Sequence, residues 1–243
     1  MFFSPLYLIM VAPALLLGIW AQMKVTSAFN HFSRVPVSSG LTGAQAAARM
    51  LQGKGFQIVQ SEDAVPHASN IIAIVETRGF LSDHYDPSTR TLRLSPSVYE
   101  GNSLASVGVA CHEAGHALQH AQNYAPLNLR SLMVPIASFG APLAIPLIVI
   151  GAIFAIPILI PLGILLFTTV VIFQLITLPV EFDASRRAKR TLAEMGMIQS
   201  GEEAAGVASV LNAAAWTYVA AAVSSIMTLL YYLMVFSGNR RGN

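Results

Sequence analysis

The amino-acid sequence predicts a mainly α-helical membrane protein, with about four transmembrane helices and one polar domain of α+β structure. The first observation is composition: charged residues make up 11% of the chain and hydrophobic residues 54%, whereas soluble domains carry about 25% charged residues. The second is distribution, because residues 1–23, 131–180 and 204–239 contain no Asp, Glu, Lys or Arg. The charge is concentrated in the segments between these stretches, whose composition is close to that of a soluble domain.

The first uncharged stretch predicts a membrane anchor over residues 2–20. A hydrocarbon core of about 30 Å requires about 20 helical residues, which this stretch provides. A cleavable signal peptide would carry a basic start and a small-residue cleavage site, and neither precedes Lys24. The segment is therefore expected to stay as an anchor.

The second uncharged stretch is too long for a single pass, since a straight helix over residues 131–180 would reach about 75 Å. Pro157, Pro161 and Gly163 indicate where the chain turns back. The prediction is a hairpin of two spans, residues 134–154 and 159–178, whose outer ends lie on the same side of the membrane.

A fourth span is predicted over residues 218–236. The Ala-rich run before it is only weakly apolar and is expected to be a helix that packs on protein instead of lipid.

The positions of Lys and Arg predict the sidedness of the spans. Eight lie between Lys24 and Arg130, and four more follow in residues 186–190. By the positive-inside rule, these two segments are cytoplasmic and the N-terminus is outside. Four passes would also place Arg240 and Arg241 outside, against the rule. Either the charge bias of the short tail is overridden by that of the other segments, or the last apolar stretch re-enters the membrane and returns.

The polar domain shows mixed helix and strand patterns. A short amphipathic helix is predicted over residues 39–52, with Ser39 or Thr42 as its cap. A β-branched strand follows over residues 70–76, and residues 79–95 read as a hairpin that turns at Asp86-Pro87. Residues 103–122 are predicted to form a helix.

These patterns divide the chain into five regions. They are a transmembrane anchor (1–23), a polar domain (24–130), a transmembrane hairpin (131–180), a short polar segment (181–203), and a C-terminal transmembrane region with its tail (204–243).

The helix over residues 103–122 contains an HExxH sequence, from His112 to His116. Two histidines four residues apart on a helix are separated by about 400° of turn, so both project from one face and can bind one ion, with Glu113 beside them. Random order of this composition would give the motif about 0.005 times per chain. The pattern therefore indicates a zinc site rather than incidental core histidines.

A hydrolytic zinc ion normally takes three protein ligands and leaves one position for water. No Asp, Glu or His occurs between His120 and Glu181. Glu181 and Asp183 are thus the first candidates downstream, and the predicted hairpin returns them to the side of the membrane that holds the motif. The alternative for both is solvated pairing with Arg186 and Arg187.

The chain resembles the membrane-bound neutral zinc metallopeptidases of the YugP type, which are related to the heat-shock and CAAX-prenyl membrane endopeptidases. The resemblance covers nearly the whole chain, and several segments carry it. They are SGLTG (39–43), LSDHYDP (81–87), LS (94–95), HEAGHALQH (112–120), TLPVEFDAS (177–185) and AAAWTYVA (213–220).

This resemblance implies a zincin-like catalytic domain that binds one Zn²⁺ per chain. His112 and His116 would be zinc ligands, Glu113 the catalytic acid and base, and Glu181 the third ligand, in the manner of gluzincins. It also implies an integral protein of a bacterial cell membrane.

One position departs from the heat-shock type relatives, which carry an Asp four residues after the ligand glutamate. Here that position is Ser185, and the acid stands at Asp183, so either residue could orient a zinc histidine. His120 is expected to be an indirect or structural neighbour of the site. Tyr218 is a candidate hydrogen-bond donor to the oxyanion, although tyrosines at the start of a span are more often interfacial.

The function predicted is hydrolysis of peptide bonds by zinc-activated water, with a peptide or membrane protein as substrate and the lipid bilayer as surroundings. The alternative is a catalytically idle, zinc-stabilised scaffold or chaperone-like protein. A haem or ion-relay protein is disfavoured because the predicted spans contain no His, Asp or Glu. A net charge of +2 gives no indication of a nucleic-acid partner, a single cysteine excludes an intrachain disulfide, and the oligomeric state is left open.

Overall fold

The computed structural model describes residues 5–61, 70–79 and 82–241. Residues 2–4 of the predicted anchor, and Phe80 and Leu81 at the start of the predicted hairpin, lie outside this range. The helices are α1 (Pro5–Phe32), α2 (Gly43–Gln52), α3 (Pro96–Tyr99), α4 (Leu104–Ala121), α5 (Ala125–Ile153), α6 (Leu159–Glu194) and α7 (Glu202–Arg241). The strands are β1 (Gln57–Val59), β2 (Ile71–Glu76), β3 (His84–Asp86) and β4 (Thr91–Leu94).

Four helices of the described chain, α1, α5, α6 and α7, are long and apolar enough to cross a membrane. The predicted fold class is confirmed in the number of spans and in the small sheet. Each helix extends beyond its predicted span, because hydropathy marks the part of a helix that suits lipid and not the residue at which the backbone stops being helical.

The predicted hairpin is confirmed, and its turn occupies the residues between Ile153 and Leu159. Pro161 lies in the first turn of α6, where proline is tolerated. Gly163 also lies inside α6, and its place there has a packing reason. A Cβ atom on Gly163 would stand 2.6 Å from the carbonyl oxygen of Ala144, so glycine allows α5 and α6 to approach closely.

Helix α7 is continuous over 40 residues, a course that favours a single pass of the last apolar stretch over the re-entrant alternative. The Ala-rich run forms the first part of this helix. As expected, it packs on protein, with Val207, Val210 and Leu211 buried among core residues.

The strands form one mixed sheet in the order β1-β2-β4-β3. Strand β2 pairs in parallel with β1 and β4, and β3 pairs antiparallel with β4. The strand over residues 70–76 and the hairpin turning at Asp86-Pro87 are thus confirmed. Strand β1 was not predicted, since three residues are too few to show alternation.

Both predicted helices of the polar domain are confirmed, and each begins at a side-chain cap. Of the two candidate caps, Thr42 is the one used: its hydroxyl accepts the Gln45 N–H at 3.2 Å, and the Gln45 side chain accepts the Thr42 N–H at 3.0 Å, forming a capping box. Ser103 caps α4 by accepting the Ser106 N–H at 3.1 Å.

The chain forms two compact units, the helical unit (residues 1–22, 125–179 and 216–243) and the mixed unit (residues 23–124 and 180–215). In the helical unit, the buried rings of Tyr231 and Tyr232 pack with Ile148 and Ile164. In the mixed unit, the core lies where α4 and α2 pack on the sheet, with Leu92, Leu94, Met50 and Leu51 fully buried. The candidate site belongs to the mixed unit.

Candidate metal centre

Helix α4 presents both histidines of the HExxH sequence on one face. The ring centroids of His112 and His116 are 4.8 Å apart. His116 is 7% exposed, and His112 is half-buried. The capped start of α4 and its packing on β3 and β4 fix this face in the mixed unit.

Glu181 of α6 meets the two histidines. Its Oε2 atom lies 3.2 Å from Nε2 of His112 and 3.6 Å from Nε2 of His116. The candidate ligand atoms of these residues all lie within 4.8 Å of one another. Glu181 is 2% exposed. Burial of a carboxylate costs free energy unless the carboxylate is paired or binds a cation.

A close contact between α4 and α6 brings the three residues together. A Cβ atom on Gly115 would stand 2.8 Å from the carbonyl oxygen of Ala184. Only glycine at this position lets the helices approach to this distance. Ala184 follows Glu181 by three residues on the same face of α6, so the contact determines where the carboxylate lies along α4 relative to the histidines.

The other ring nitrogen of each histidine also has a partner. Nδ1 of His112 lies 3.1 Å from the Ser185 hydroxyl, and Nδ1 of His116 lies 3.0 Å from Oε1 of Gln119. When Nδ1 donates the hydrogen of such a contact, Nε2 of the neutral ring is left to present its lone pair to an ion. Two imidazole nitrogens and one carboxylate, with both rings oriented, are a donor set that fits zinc.

Glu113 lies beside this group and is 9% exposed. Its Oε2 atom accepts the backbone N–H of Tyr85, from β3, at 3.0 Å. Burial raises the pKa of Glu113 above its ordinary value, and the positive charge of the histidines offsets only part of this rise. A carboxylate with a raised pKa is a stronger base than one in water.

The local field favours positive charge at His116. Burial lowers the pKa of His116, but the carboxylates of Glu181 and Glu113 act in the opposite direction and leave this pKa above its ordinary value. An environment that stabilises an imidazolium also stabilises a metal cation.

Two residues that the sequence left as alternatives, Ser185 and Asp183, have different positions. Ser185 contacts His112 directly. Asp183 is outside the group of ligand atoms and accepts hydrogen bonds from Gln119, Arg186 and Arg187. It is therefore linked to His116 through Gln119, and it also pairs with the two arginines.

His120 lies in the mixed unit and Tyr218 in the helical unit. Nδ1 of His120 lies 2.8 Å from the Tyr85 hydroxyl, so His120 is a neighbour of the strand that contacts Glu113. Tyr218 lies on α7 in the helical unit. Its proposed role at an oxyanion stays a prediction.

Sequence reasoning missed Gln119 and Tyr85 as neighbours of the site. Gln119 follows His116 by three residues on α4, so the helical period alone places it on the same face. Tyr85 gives no such signal, because its contribution is a backbone N–H that any residue except proline would supply.

Two comparisons with known proteins agree with this geometry. A family model described as "Putative neutral zinc metallopeptidase" matches residues 7–237. A protein of Bacillus subtilis (strain 168) named "Putative membrane protease YugP" is 45% identical over 238 residues, which cover 98% of this chain and 100% of that protein. No solved structure matches the chain. Since the family model spans nearly the whole sequence, the chain belongs to this family of neutral zinc metallopeptidases.

Proposed function

We propose that this protein is an integral-membrane zinc metallopeptidase that hydrolyses peptide bonds with Glu113 as general base. The observation that carries the proposal is the convergence of His112, His116 and Glu181, within 4.8 Å of one another, beside a buried glutamate. These three side chains would hold one Zn²⁺ ion per chain.

When bound, zinc supplies a Lewis acid that lowers the pKa of a water molecule and polarises the scissile carbonyl group. The protein must add a base and a proton carrier. The Tyr85 N–H holds Oε2 of Glu113, which orients the carboxylate so that Oε1 takes a proton from the attacking water. The same atom then returns the proton to the leaving amine nitrogen.

An extended substrate would pair with the outer edge of β3. The two strands of the hairpin, β3 and β4, are the candidates for this role. Strand β4 lies between β2 and β3, so both of its edges are used within the sheet. Strand β3 is at the end of the described sheet and touches Glu113 through Tyr85. A peptide added there would lie beside the base, held by backbone hydrogen bonds.

The mixed unit would act on the cytoplasmic side of a bacterial cell membrane. Eight of the 14 Lys and Arg residues lie between Lys24 and Arg130, and such a bias favours the cytoplasm. Membrane proteins or peptides near that face would be the substrates.

The test replaces Glu113 by glutamine. The Glu113→Gln protein is expected to bind as much zinc as the unchanged protein, because all three ligands remain. Its peptide hydrolysis should fall about 10²- to 10⁴-fold, because the base is gone. Zinc is measured by elemental analysis of the purified full chain in detergent, and hydrolysis by mass spectrometry of a peptide mixture.

The matched control is Glu100→Gln, the same chemical change at an exposed glutamate of the mixed unit, which should keep full activity. Full activity in Glu113→Gln would refute the role of Glu113. A protein that binds zinc but hydrolyses nothing in either form would support the idle scaffold instead. Peptides that accumulate in cells with the active protein but not with Glu113→Gln would identify the substrate.

A further inference from the structure

Gln119 makes three hydrogen-bond contacts inside the mixed unit and is fully buried. Its Nε2 atom donates to the carbonyl oxygen of Val180 at 2.8 Å and to Oδ2 of Asp183 at 2.9 Å. Its Oε1 atom lies 3.0 Å from Nδ1 of His116. The side chain thus connects α4 with α6 between a candidate ligand and a carboxylate.

These contacts determine which way the amide points. An amide nitrogen has two hydrogens and donates, while an amide oxygen only accepts. Both partners of Nε2, a carbonyl oxygen and a carboxylate, are acceptors, so reversing the amide would set its oxygen against two other oxygens. Oε1 must therefore face His116.

The orientation of the amide in turn determines the tautomer of His116. Because Oε1 can only accept, Nδ1 of His116 must carry the hydrogen of this bond. In the neutral ring Nε2 then carries the lone pair, and Nε2 is the atom that faces Glu181 at 3.6 Å. This is the tautomer that a metal ligand needs.

Asp183 keeps the amide in place from the other side. Its carboxylate is paired with Arg186 and with Arg187, whose Nε donates to Oδ2 at 2.5 Å. Arg187 also donates to Oε1 of Gln122 at 2.6 Å. The polar contacts therefore run from His116 through Gln119, Asp183 and Arg187 back to the end of α4.

We propose that Gln119 is a positioning residue that holds His116 in its metal-binding tautomer, with Asp183 fixing the orientation of the Gln119 amide. The arrangement gives Asp183 a role at the site although it is two residues from the candidate ligand Glu181 and contacts neither histidine. The inference rests on the proposed function, because it assumes that the ion bound is zinc.

The experiment measures the zinc dissociation constant of the full chain in detergent by competition with a chelator. Gln119→Leu should weaken zinc binding about 10- to 100-fold, as expected for loss of an outer partner of a ligating histidine. Gln119→Glu keeps the shape of the side chain but replaces the amide nitrogen by an oxygen. This oxygen cannot donate to Asp183 or to the Val180 carbonyl, so the variant should also bind zinc more weakly. Adding Asp183→Asn supplies a donor to the new carboxylate and should recover part of the loss.

The matched control is Ser106→Ala, which also removes buried hydrogen bonds from α4, to Ser103 and to the Ser97 carbonyl oxygen. It should lower the thermal unfolding temperature and leave the zinc dissociation constant unchanged. A merely structural role of Gln119 would make Gln119→Leu behave like this control.

Each outcome decides the question. Unchanged zinc affinity in Gln119→Leu, or an equal loss in Ser106→Ala, overturns the proposal. If Gln119→Leu does not fold, the isosteric Gln119→Glu and its double variant decide: recovery in the double variant supports the proposal, and no recovery overturns it. Failure of the unchanged protein to bind zinc would refute the proposed function itself, which is a distinguishable result.

Discussion

Tyr85 contacts helix α4 at two points, and the second of them is His120. The Tyr85 N–H binds Glu113 at 3.0 Å, and its hydroxyl lies 2.8 Å from Nδ1 of His120, two helical turns further on. Burial, and then the charge of Arg90, lower the pKa of His120. A neutral His120 accepts the Tyr85 O–H at Nδ1, so this contact holds the strand against the helix that carries the base.

This contact predicts a pH dependence of stability. The pKa of His120 in the folded protein is below its ordinary value of 6.5, so the unfolded chain binds more protons between these two values. The free energy of unfolding should therefore rise with pH across this window and fall as pH drops through it. Urea unfolding of the chelator-treated protein, followed at several pH values, measures this slope.

His120→Gln provides the comparison, since it removes the titrating group and leaves the other histidines in place. The difference in unfolding free energy between the unchanged protein and this variant should shrink on acidification below pH 6.5. A difference that stays constant with pH would show that protonation of His120 does not oppose folding.

At the scale of the elements, the site depends on the crossing of α4 and α6. Gly115→Ala would set a Cβ atom 2.8 Å from the Ala184 carbonyl oxygen. The obstacle is backbone, so α6 must move, at a cost of about 1–3 kcal/mol in the free energy of unfolding. Glu181 would move with it, and we expect weaker zinc binding, measured by chelator competition.

Gly108→Ala is the matched control on the same helix. Its new Cβ atom would meet Cγ1 of Val207 at 3.3 Å, and a side chain can shift where a backbone cannot. This variant should keep its zinc affinity. If Gly115→Ala also keeps it, the close crossing is not what positions Glu181.

The elements also show what the sequence could predict and what it could not. The spacing of His112 and His116 is a local property of one helix, so the pair is visible in the sequence. Glu181 becomes a candidate because no other Asp, Glu or His follows His120 before it. The contacts of Gln119 with Val180 and Asp183 depend instead on how two helices pack, and no sequence period reports that distance.

The ends of the helices could not be predicted from the sequence either. Helix α1 continues to Phe32 and α6 to Glu194, well past the apolar residues that predicted them. Polar residues are good helix formers when the helix is already nucleated, so helix and span end at different places.

At the scale of the whole molecule, two features predict opposite sides of the membrane for the C-terminal tail. They are the distribution of Lys and Arg and the continuity of α7. Four spans place Arg240 and Arg241 opposite the segments that carry the other 12 of the 14 Lys and Arg residues. Helix α7 extends over 40 residues, or about 60 Å, which is twice the thickness of the hydrocarbon core. A continuous helix of this length reaches the far side with its second half, so the tail is expected outside despite its charge.

Cysteine labelling in intact bacterial cells tests this topology, using a membrane-impermeant biotin maleimide. Ser237→Cys, at an exposed position near the end of α7, should be labelled from outside, and Lys54→Cys, exposed in the mixed unit, only after lysis. The native Cys111 is fully buried and should stay unlabelled in both. Protection of Ser237→Cys in intact cells would contradict a single crossing by α7, and labelling of Lys54→Cys there would contradict a cytoplasmic site. Because charge bias and helix length give opposite answers for the tail, the result also decides which of the two determines its side.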